Sequence, residues 1–397
     1  MPGMGIGADG GPGIRLGQGT GPLRGVKVVE IAGIGPGPHA CMVLADLGAD
    51  VIRVERAVKG GFSFGSQDVV LRGRPSVALD LKHPDAVAAV LDLVEQADVL
   101  VEGMRPGVTE RLGIGPDACW ARNPALVYGR MTGWGQDGPL AEVAGHDMNY
   151  LALSGVLHGL GQDPGRPHFP SNLLGDYGGG STYLVIGVLA ALLEARVSGR
   201  GQVVDAAIID GAAHLNAMGA TMTALGLQTG RRAAGLLDGG TPYYDLYATS
   251  DGEHVSVGPL EPQFWAETVR LLTPHLVGEL PDRDDPRQFA QLRRTLADTF
   301  AARTLEEWTE TFDGTDACVA PVLPVKRAAE HPHLAARGTY VEQGGVLQPA
   351  PAPRFSRTPA AVDSPPSEPG ADTREALAAW GIGDVDALLA SGAAVQT

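Results

Sequence analysis

The chain has 397 residues, 44% of them hydrophobic, which exceeds the usual size of a single core and predicts two domains or one large α/β unit. A formal net charge of -16 argues against nucleic-acid binding as the main activity, because the field of the whole chain repels a polyanion; a local basic site stays compatible with it. Three widely spaced cysteines, Cys41, Cys119 and Cys318, are odd in number and lack any metal-ligand spacing, so they argue for a reducing cytoplasm and against a disulfide framework or a metal site.

Residues 1–20 are Gly-rich, hold no apolar run of signal-peptide length and read as a disordered extension or a misassigned start. From Gly25 to Gly135 short β-branched runs alternate with helical stretches. Strands are predicted over 26–31, 51–55, 99–102 and 126–131, and helices over 39–47 and 84–96. Strands separated by helices imply a parallel sheet of βαβ units. The turn Gly33-Ile34-Gly35-Pro36-Gly37-Pro38, with Glu55 downstream as a ribose acid, invites a dinucleotide reading. Pro38 occupies the place of the third glycine, so nicotinamide binding is not predicted.

The longest apolar run, Leu184 to Leu193, is too short to span a bilayer, is closed by Glu194 and Arg196, and reads as a buried helix. A strand is predicted over 202–205 and a long helical pattern over 206–227. The texture then changes. A hairpin over 247–257 around Asp251-Gly252 and amphipathic helices over 264–272 and 305–312 predict a second, smaller domain. The predicted layout is therefore a large Rossmann-like domain over 21–230, a small α+β domain over 231–335, and a return to the large domain over 336–397. The loop 364–370 precedes a short helix over 373–380.

Two segments carry the candidate chemistry: Gly145-His146-Asp147-Met148-Asn149-Tyr150 and Leu174-Gly175-Asp176-Tyr177-Gly178-Gly179-Gly180-Ser181. Each sets a titratable residue directly after a glycine, a setting suited to close approach of a ligand and to a shifted pKa. Taken singly, each reads more readily as a cap or a satisfied polar group than as a catalytic one, Asp176 above all, since it stands just before an apolar helix. Together they make a two-base site.

These segments, with Leu260-Glu261-Pro262-Gln263-Phe264, resemble those of the α-methylacyl-CoA racemases of the family III CoA-transferase (CaiB/BaiF) superfamily. The likeness begins at Gly21-Pro22-Leu23-Arg24-Gly25, runs through Ile34-Gly35-Pro36-Gly37-Pro38-His39-Ala40 and Glu102-Gly103-Met104-Arg105-Pro106-Gly107-Val108, and returns at Pro351-Ala352-Pro353-Arg354-Phe355. It implies a Rossmann-like large domain plus a smaller α+β domain, two chains interlocked as a homodimer, and an isomerase that inverts the 2-methyl centre of an acyl-CoA. The CoA belongs to the substrate, so no separate cofactor, metal, nucleic acid or membrane is implied.

Inverting a centre next to a thioester needs one group to remove a proton from one face, another to return one to the opposite face, and donors for the enolate. The resemblance implies His146 and Asp176 as that pair and Glu261 as the carboxylate that orients His146; read alone, Glu261 is equally an exposed surface carboxylate. Asp147 competes for the orienting role, although alternation along an extended segment would point it away. Backbone amides of Gly178 to Ser181, read as a helix N-terminus, are candidate enolate donors. For CoA, the resemblance implies Arg56; Leu79, Asp80, Leu81 and Lys82; Gly103, Met104, Arg105, Pro106, Gly107 and Val108; Arg111; and Gly145, Asp147, Met148, Asn149 and Tyr150. Arg72 and Arg74 are further cationic candidates or simply solvated side chains. The alternative reading is a CoA-transferase that passes CoA through an aspartyl thioester at Asp176. The histidine in Gly-His-Asp favours the racemase, because transferase relatives carry another residue there.

Overall fold

A computed structural model describes residues 14, 16–56, 64–227 and 230–397. Most of the extension predicted over 1–20 lies outside them. Its described part is anchored: the Gly17 amide donates to Asp50, and Ile14 and Leu16 pack on a hydrophobic core.

The chain folds as two compact units, a large one (1–151, 171–215 and 338–397) and a small one (152–170 and 216–337). The small unit takes more chain than the predicted 231–335, because a break at Asn216 splits the predicted 206–227 helix and a 152–170 excursion joins it.

The large unit is built on β1 (Lys27–Ile31), β2 (Asp50–Glu55), β3 (Ser76–Leu79), β4 (Val99–Glu102), β5 (Val127–Thr132), β6 (Val203–Ala207) and β7 (Ala394–Val395). They form one seven-stranded sheet in the order β7-β3-β2-β1-β4-β5-β6. All neighbours run parallel except the β7 edge, which is antiparallel to β3. Neither β3, whose four residues are all buried and so lack alternation, nor the two-residue β7 is predicted from sequence. The strand order reverses between β1 and β4, and in an open α/β sheet that point leaves a crevice at the carboxyl ends of the strands.

Side chains alternate across the sheet with the strand period of two. Val29, Ile31, Ile52, Val54, Leu100 and Tyr128 enter the core shared with Ala89, Leu93, Leu377 and Trp380, while Val28, Val51, Val99, Val101 and Val127 enter the opposite core with Leu44 and Leu184. Two helices close the second face. Helix α1 (Pro36–Asp46) begins three residues before its predicted start, since Pro36 and Pro38 suit a first turn whose N–H groups need no helical partner. Helix α2 (Pro84–Glu95) covers the first face, and α3 (Thr182–Ser198) joins α1 on the second.

The run 184–193 is thus part of a longer helix. By length and composition alone, Leu173–Ser198 is long and apolar enough to cross a membrane. It packs on the sheet through Leu184, Val185, Val188, Ala191 and Leu192, and leaves Ile186, Leu193 and Val197 exposed.

Beneath α1 lies a buried ion network. Glu30 stands opposite Arg53 in the β1–β2 register and accepts from Arg53 with one oxygen and from Arg74 Nη1 with the other, at 2.6 Å. Arg72 grips both carboxylate oxygens of Asp46, at 3.0 and 2.6 Å, and donates to Gln348 Oε1 at 2.7 Å. Arg72 and Arg74 are 2% and 1% exposed, so the structure removes them as phosphate ligands and makes them part of the frame.

The small unit holds a three-stranded antiparallel sheet, Asp245–Ala248, His254–Val257 and Val319–Pro321. The predicted hairpin turns at Gly252, whose φ of 79° only glycine takes without strain. Tyr247, Leu296, Phe300, Trp308 and Phe312 form its core.

Removing one partner of a buried ion pair strands the other charge, so Glu30→Gln, which leaves Arg53 and Arg74 facing a neutral amide, should cost about 3–5 kcal/mol of stability. Urea unfolding followed by circular dichroism reads this directly. A midpoint equal to that of the parent would show that the network does not hold the frame.

Candidate active site

Helix α4 (Asp147–Leu153) begins directly after His146, so Asp147 is a first-turn residue of a helix rather than part of an extended segment. His146 is exposed, and its backbone exchanges bonds with Asn149: its N–H donates to Asn149 Oδ1 at 3.0 Å and its carbonyl accepts from the Asn149 N–H at 2.8 Å. Asp147 instead turns inward, 7% exposed, and its Oδ2 accepts the backbone N–H of Asp176 at 2.8 Å. Its Oδ1 has no hydrogen-bond partner among the described residues. The bond explains the glycine before Asp176, because a Cβ at Gly175 would lie 2.3 Å from Asp147 Oδ2. The Asp147 carboxylate thus holds the backbone of Asp176.

The Asp176 side chain faces the β1–α1 turn, where a Cβ on Gly35 would come within 3.3 Å of Asp176 Oδ2. The glycine turn that resembles a dinucleotide cradle therefore makes room for this carboxyl. Burial first, and then the Asp147 charge, raise the Asp176 pKa to about 6, with a hydrogen bond from Asn172 and the charge of His146 opposing the rise. Tyr150 closes the floor: 7% exposed, it donates to the Gly145 carbonyl and meets the Trp134 ring edge-on at 4.7 Å. A Cβ at Gly145 would lie 2.7 Å from the Tyr150 ring, so that glycine is required by packing.

Leu173–Ser181 is a π-helical stretch that runs straight into α3. Its widened turns show in the bonds from the Tyr177 N–H to Asn172 O and from the Thr182 N–H to Tyr177 O. The amides of Gly178 to Ser181 therefore lie inside a helix, not at a free N-terminus, which removes them as enolate donors. The glycine run serves packing against α5 (Ile208–Leu215): a Cβ at Gly179 would lie 2.7 Å from the Ala212 nitrogen. On the other side, His39 Nδ1 lies 2.7 Å from Ser181 Oγ and its ring stacks on Tyr177 at 4.1 Å. Burial first, then Arg72 and Arg74, lowers its pKa to about 4, so His39 is neutral near pH 7.

The predicted CoA residues line the carboxyl ends of three strands. Arg56 is exposed just after β2; Asp80 and Lys82 are exposed after β3, where Asp80 Oδ1 accepts the Lys82 N–H at 3.1 Å. Leu79 is fully buried in the sheet and Leu81 packs on the same core, so neither offers its side chain. After β4, Gly103 and Arg105 are exposed, while Met104 donates its N–H to the buried Glu102 at 2.6 Å. Pro106, Gly107 and Val108 are half-buried, and Gly107, with φ of 76°, caps the short helix that carries exposed Arg111. A Cβ at Gly107 would lie 3.0 Å from Arg111 Nη1, which brings that guanidinium back onto the loop. Met148 and Asn149 are exposed beside buried Tyr150. Glu261 belongs to the small unit, exposed at the N-cap of a helix. Sequence reading missed Asn172, and it weighed Gly35 as part of a dinucleotide turn rather than as a neighbour of Asp176. Asn172 stands four residues before Asp176, a spacing that faces it on a helix, but the glycines concealed that a helix begins so early.

A carboxyl with a raised pKa binds its proton more tightly when folded, so it contributes stability below about pH 4 that is lost as pH rises through about 6. Relative to Asp176→Asn, the parent should lose stability across that window. In a carbon-13 carboxyl titration, Asp147→Asn should lower the Asp176 midpoint, leaving it above the ordinary carboxylate value because burial remains. An unmoved midpoint would refute the Asp147 contribution.

The family model described as CoA-transferase family III matches residues 23–373. The Mus musculus alpha-methylacyl-CoA racemase is 43% identical over 369 residues, 92% of this chain and 95% of that protein. Its Homo sapiens counterpart is 40% identical over 366 residues, 91% and 94% of the two chains. A crystal structure of a CAIB/BAIF family protein from Brucella suis is similar with a TM-score of 0.76 at 27% identity, covering 91% of this chain and all of that one (100%). With most of its length inside the family model, the chain belongs to CoA-transferase family III.

Proposed function

We propose that the chain is an α-methylacyl-CoA racemase, an isomerase that inverts the 2-methyl centre of an acyl-CoA by proton transfer through an enolate. One observation carries the reading: His146 lies within electrostatic reach of Asp176, whose carboxyl is held near pKa 6. At neutral pH such a carboxyl passes between its acid and base forms at little cost, as both directions of a racemisation require. The similarity to two proteins named alpha-methylacyl-CoA racemase supports the same activity.

In this mechanism one of the pair removes the α-proton from one face and the other returns a proton to the opposite face; in the reverse direction they exchange roles. Asp147 holds the Asp176 backbone, and Asn172 bonds its carboxyl. Both proton carriers belong to the chain, so CoA enters only as part of the substrate and no separate cofactor or metal is required. Glu261 is proposed to serve the same transfer as the carboxylate partner of the histidine. Exposed Arg56, Lys82, Arg105 and Arg111, at the ends of β2, β3 and β4, are proposed to meet the CoA phosphates. Exposed apolar side chains on α3, including Leu193 at 65% and Val197 at 90%, support a homodimer, and three free cysteines support the cytoplasm.

Chiral separation of 2-methylacyl-CoA epimers tests the pair. His146→Ala and Asp176→Asn should each slow racemisation by about two to four orders of magnitude with the fold intact. Near-parental activity in either variant would remove that residue from the pair, and a hydroxylamine-sensitive adduct on Asp176 formed at the turnover rate would replace the racemase with a transferase.

Loss of Arg56 or Arg111 should raise the apparent Michaelis constant more at low salt than at high salt, where phosphate contacts are already screened. A truncated thioester lacking the nucleotide should be nearly indifferent to either change. Equal impairment of both substrates would show that these arginines do not meet phosphate.

A further inference from the structure

The small unit contains a buried arginine that the proposed chemistry does not use. Arg283 is 8% exposed. Its Nη1 donates to the Pro259 carbonyl at 2.8 Å and its Nη2 to the Leu260 carbonyl at 3.1 Å. Its guanidinium lies 4.9 Å from the centre of the Tyr243 ring and 5.5 Å from that of Trp265. Its ion pair with Asp284 is 3.7 Å long, and the Asp284 side chain is 82% exposed. A guanidinium taken out of water is costly unless its donors and its charge are met. Here two consecutive backbone carbonyls and two aromatic faces meet them.

Those carbonyls belong to the two residues immediately before Glu261. Glu261 is the N-cap of α6 (Pro262–Leu272), with φ −75° and ψ 146°, and its carbonyl accepts the Trp265 N–H at 3.0 Å. Arg283 therefore grips the segment from both sides: its fork holds the chain entering the cap, and its face lies against a ring in the first turn leaving it. The preceding residue is fixed too, since the Gly258 N–H donates to the Cys318 carbonyl at 2.9 Å. A planar fork can hold two adjacent carbonyls at once, which the single point charge of a lysine cannot reproduce.

We infer that Arg283 is a positioning residue, holding the Pro259-Leu260 backbone so that Glu261 is presented in one fixed orientation to the reaction. This rests on the reading above that Glu261 serves the proton transfer. Displacement of a reacting group by about 1 Å costs on the order of 100-fold in rate, so loss of the fork should appear in turnover more than in substrate binding.

The test uses the full chain with Arg283→Lys, Arg283→Met, Glu261→Ala and the double variant Arg283→Met/Glu261→Ala. Hydrogen exchange should show faster amide exchange over residues 260–265 in Arg283→Met, and less so in Arg283→Lys, while the core strand 254–257 stays protected. Racemisation kcat should fall about 10- to 100-fold in Arg283→Met with a smaller change in KM, and the double variant should be no slower than Glu261→Ala alone. Unchanged exchange over 260–265, or a double variant slowed by the full product of the two single effects, would overturn the proposal. If Arg283→Met does not fold, Arg283→Lys carries the same comparison. A fully active Glu261→Ala would instead remove the role of Glu261, and the amide exchange would still decide whether Arg283 holds the loop.

Discussion

Reversal of strand order between β1 and β4 is the constraint on which the large unit's chemistry depends. To the left of that point the chain winds outward through β2 and β3, to the right through β5 and β6, so the loops after β1 and β4 part and open a crevice. The loop after β1 brings Gly35 to Asp176, and the loop after β4 presents Gly103, Arg105 and, one short helix later, Arg111. In the buried network of Glu30, Arg53 and Arg74, Arg74 also donates to the Pro38 carbonyl at 2.9 Å and so ties α1 to the sheet. Apolar residues of the same size could fill that space with less desolvation; what the ions add is a defined direction, since two guanidinium forks meet one carboxylate.

On this frame the Asp176 carboxyl is set by its neighbours rather than by its own position in the sequence. Asp147 does two things at once: its Oδ2 binds the Asp176 backbone, and its charge, added to burial, raises the pKa of the carboxyl it holds. His146, one residue earlier, works in the opposite sense. Adjacent residues with opposed effects become possible because a helix starts between them, turning Asp147 inward and leaving His146 at the surface. The glycines follow from the same geometry. Gly175 and Gly145 admit Asp147 and Tyr150 at distances no Cβ would allow, and the run from Gly178 admits α5.

Strand and helix positions in the first half of the large unit were legible because their apolar periods are regular, and the capping box of Thr304 and Glu307 marks the start of the helix predicted at 305. The proposed pairing of His146 with Asp176 was suggested by two titratable residues that each follow a glycine, while its link to the α-carbon of an acyl-CoA came through resemblance to a family. Other features were not legible for physical reasons. Arg72 and Arg74 look like solvated cations until their carboxylate partners, Asp46 and Glu30, are brought in from other elements by the fold. The π-helical stretch is hidden because glycines at 175 and 178–180 read as loop, although tertiary packing makes them helical. Arg283 gave no signal, since what it binds is backbone.

The central claim is that proton exchange at the α-carbon, and not transfer of CoA, is the reaction of this site. Its most direct measurement starts from a single epimer of a 2-methylacyl-CoA in deuterated water, with a free carboxylic acid present, and follows the α-carbon and the CoA by NMR. The account predicts deuterium at the α-carbon together with formation of the other epimer, and CoA retained on its original acyl group. Movement of CoA to the added acid, with the α-proton and its configuration unchanged, would contradict it.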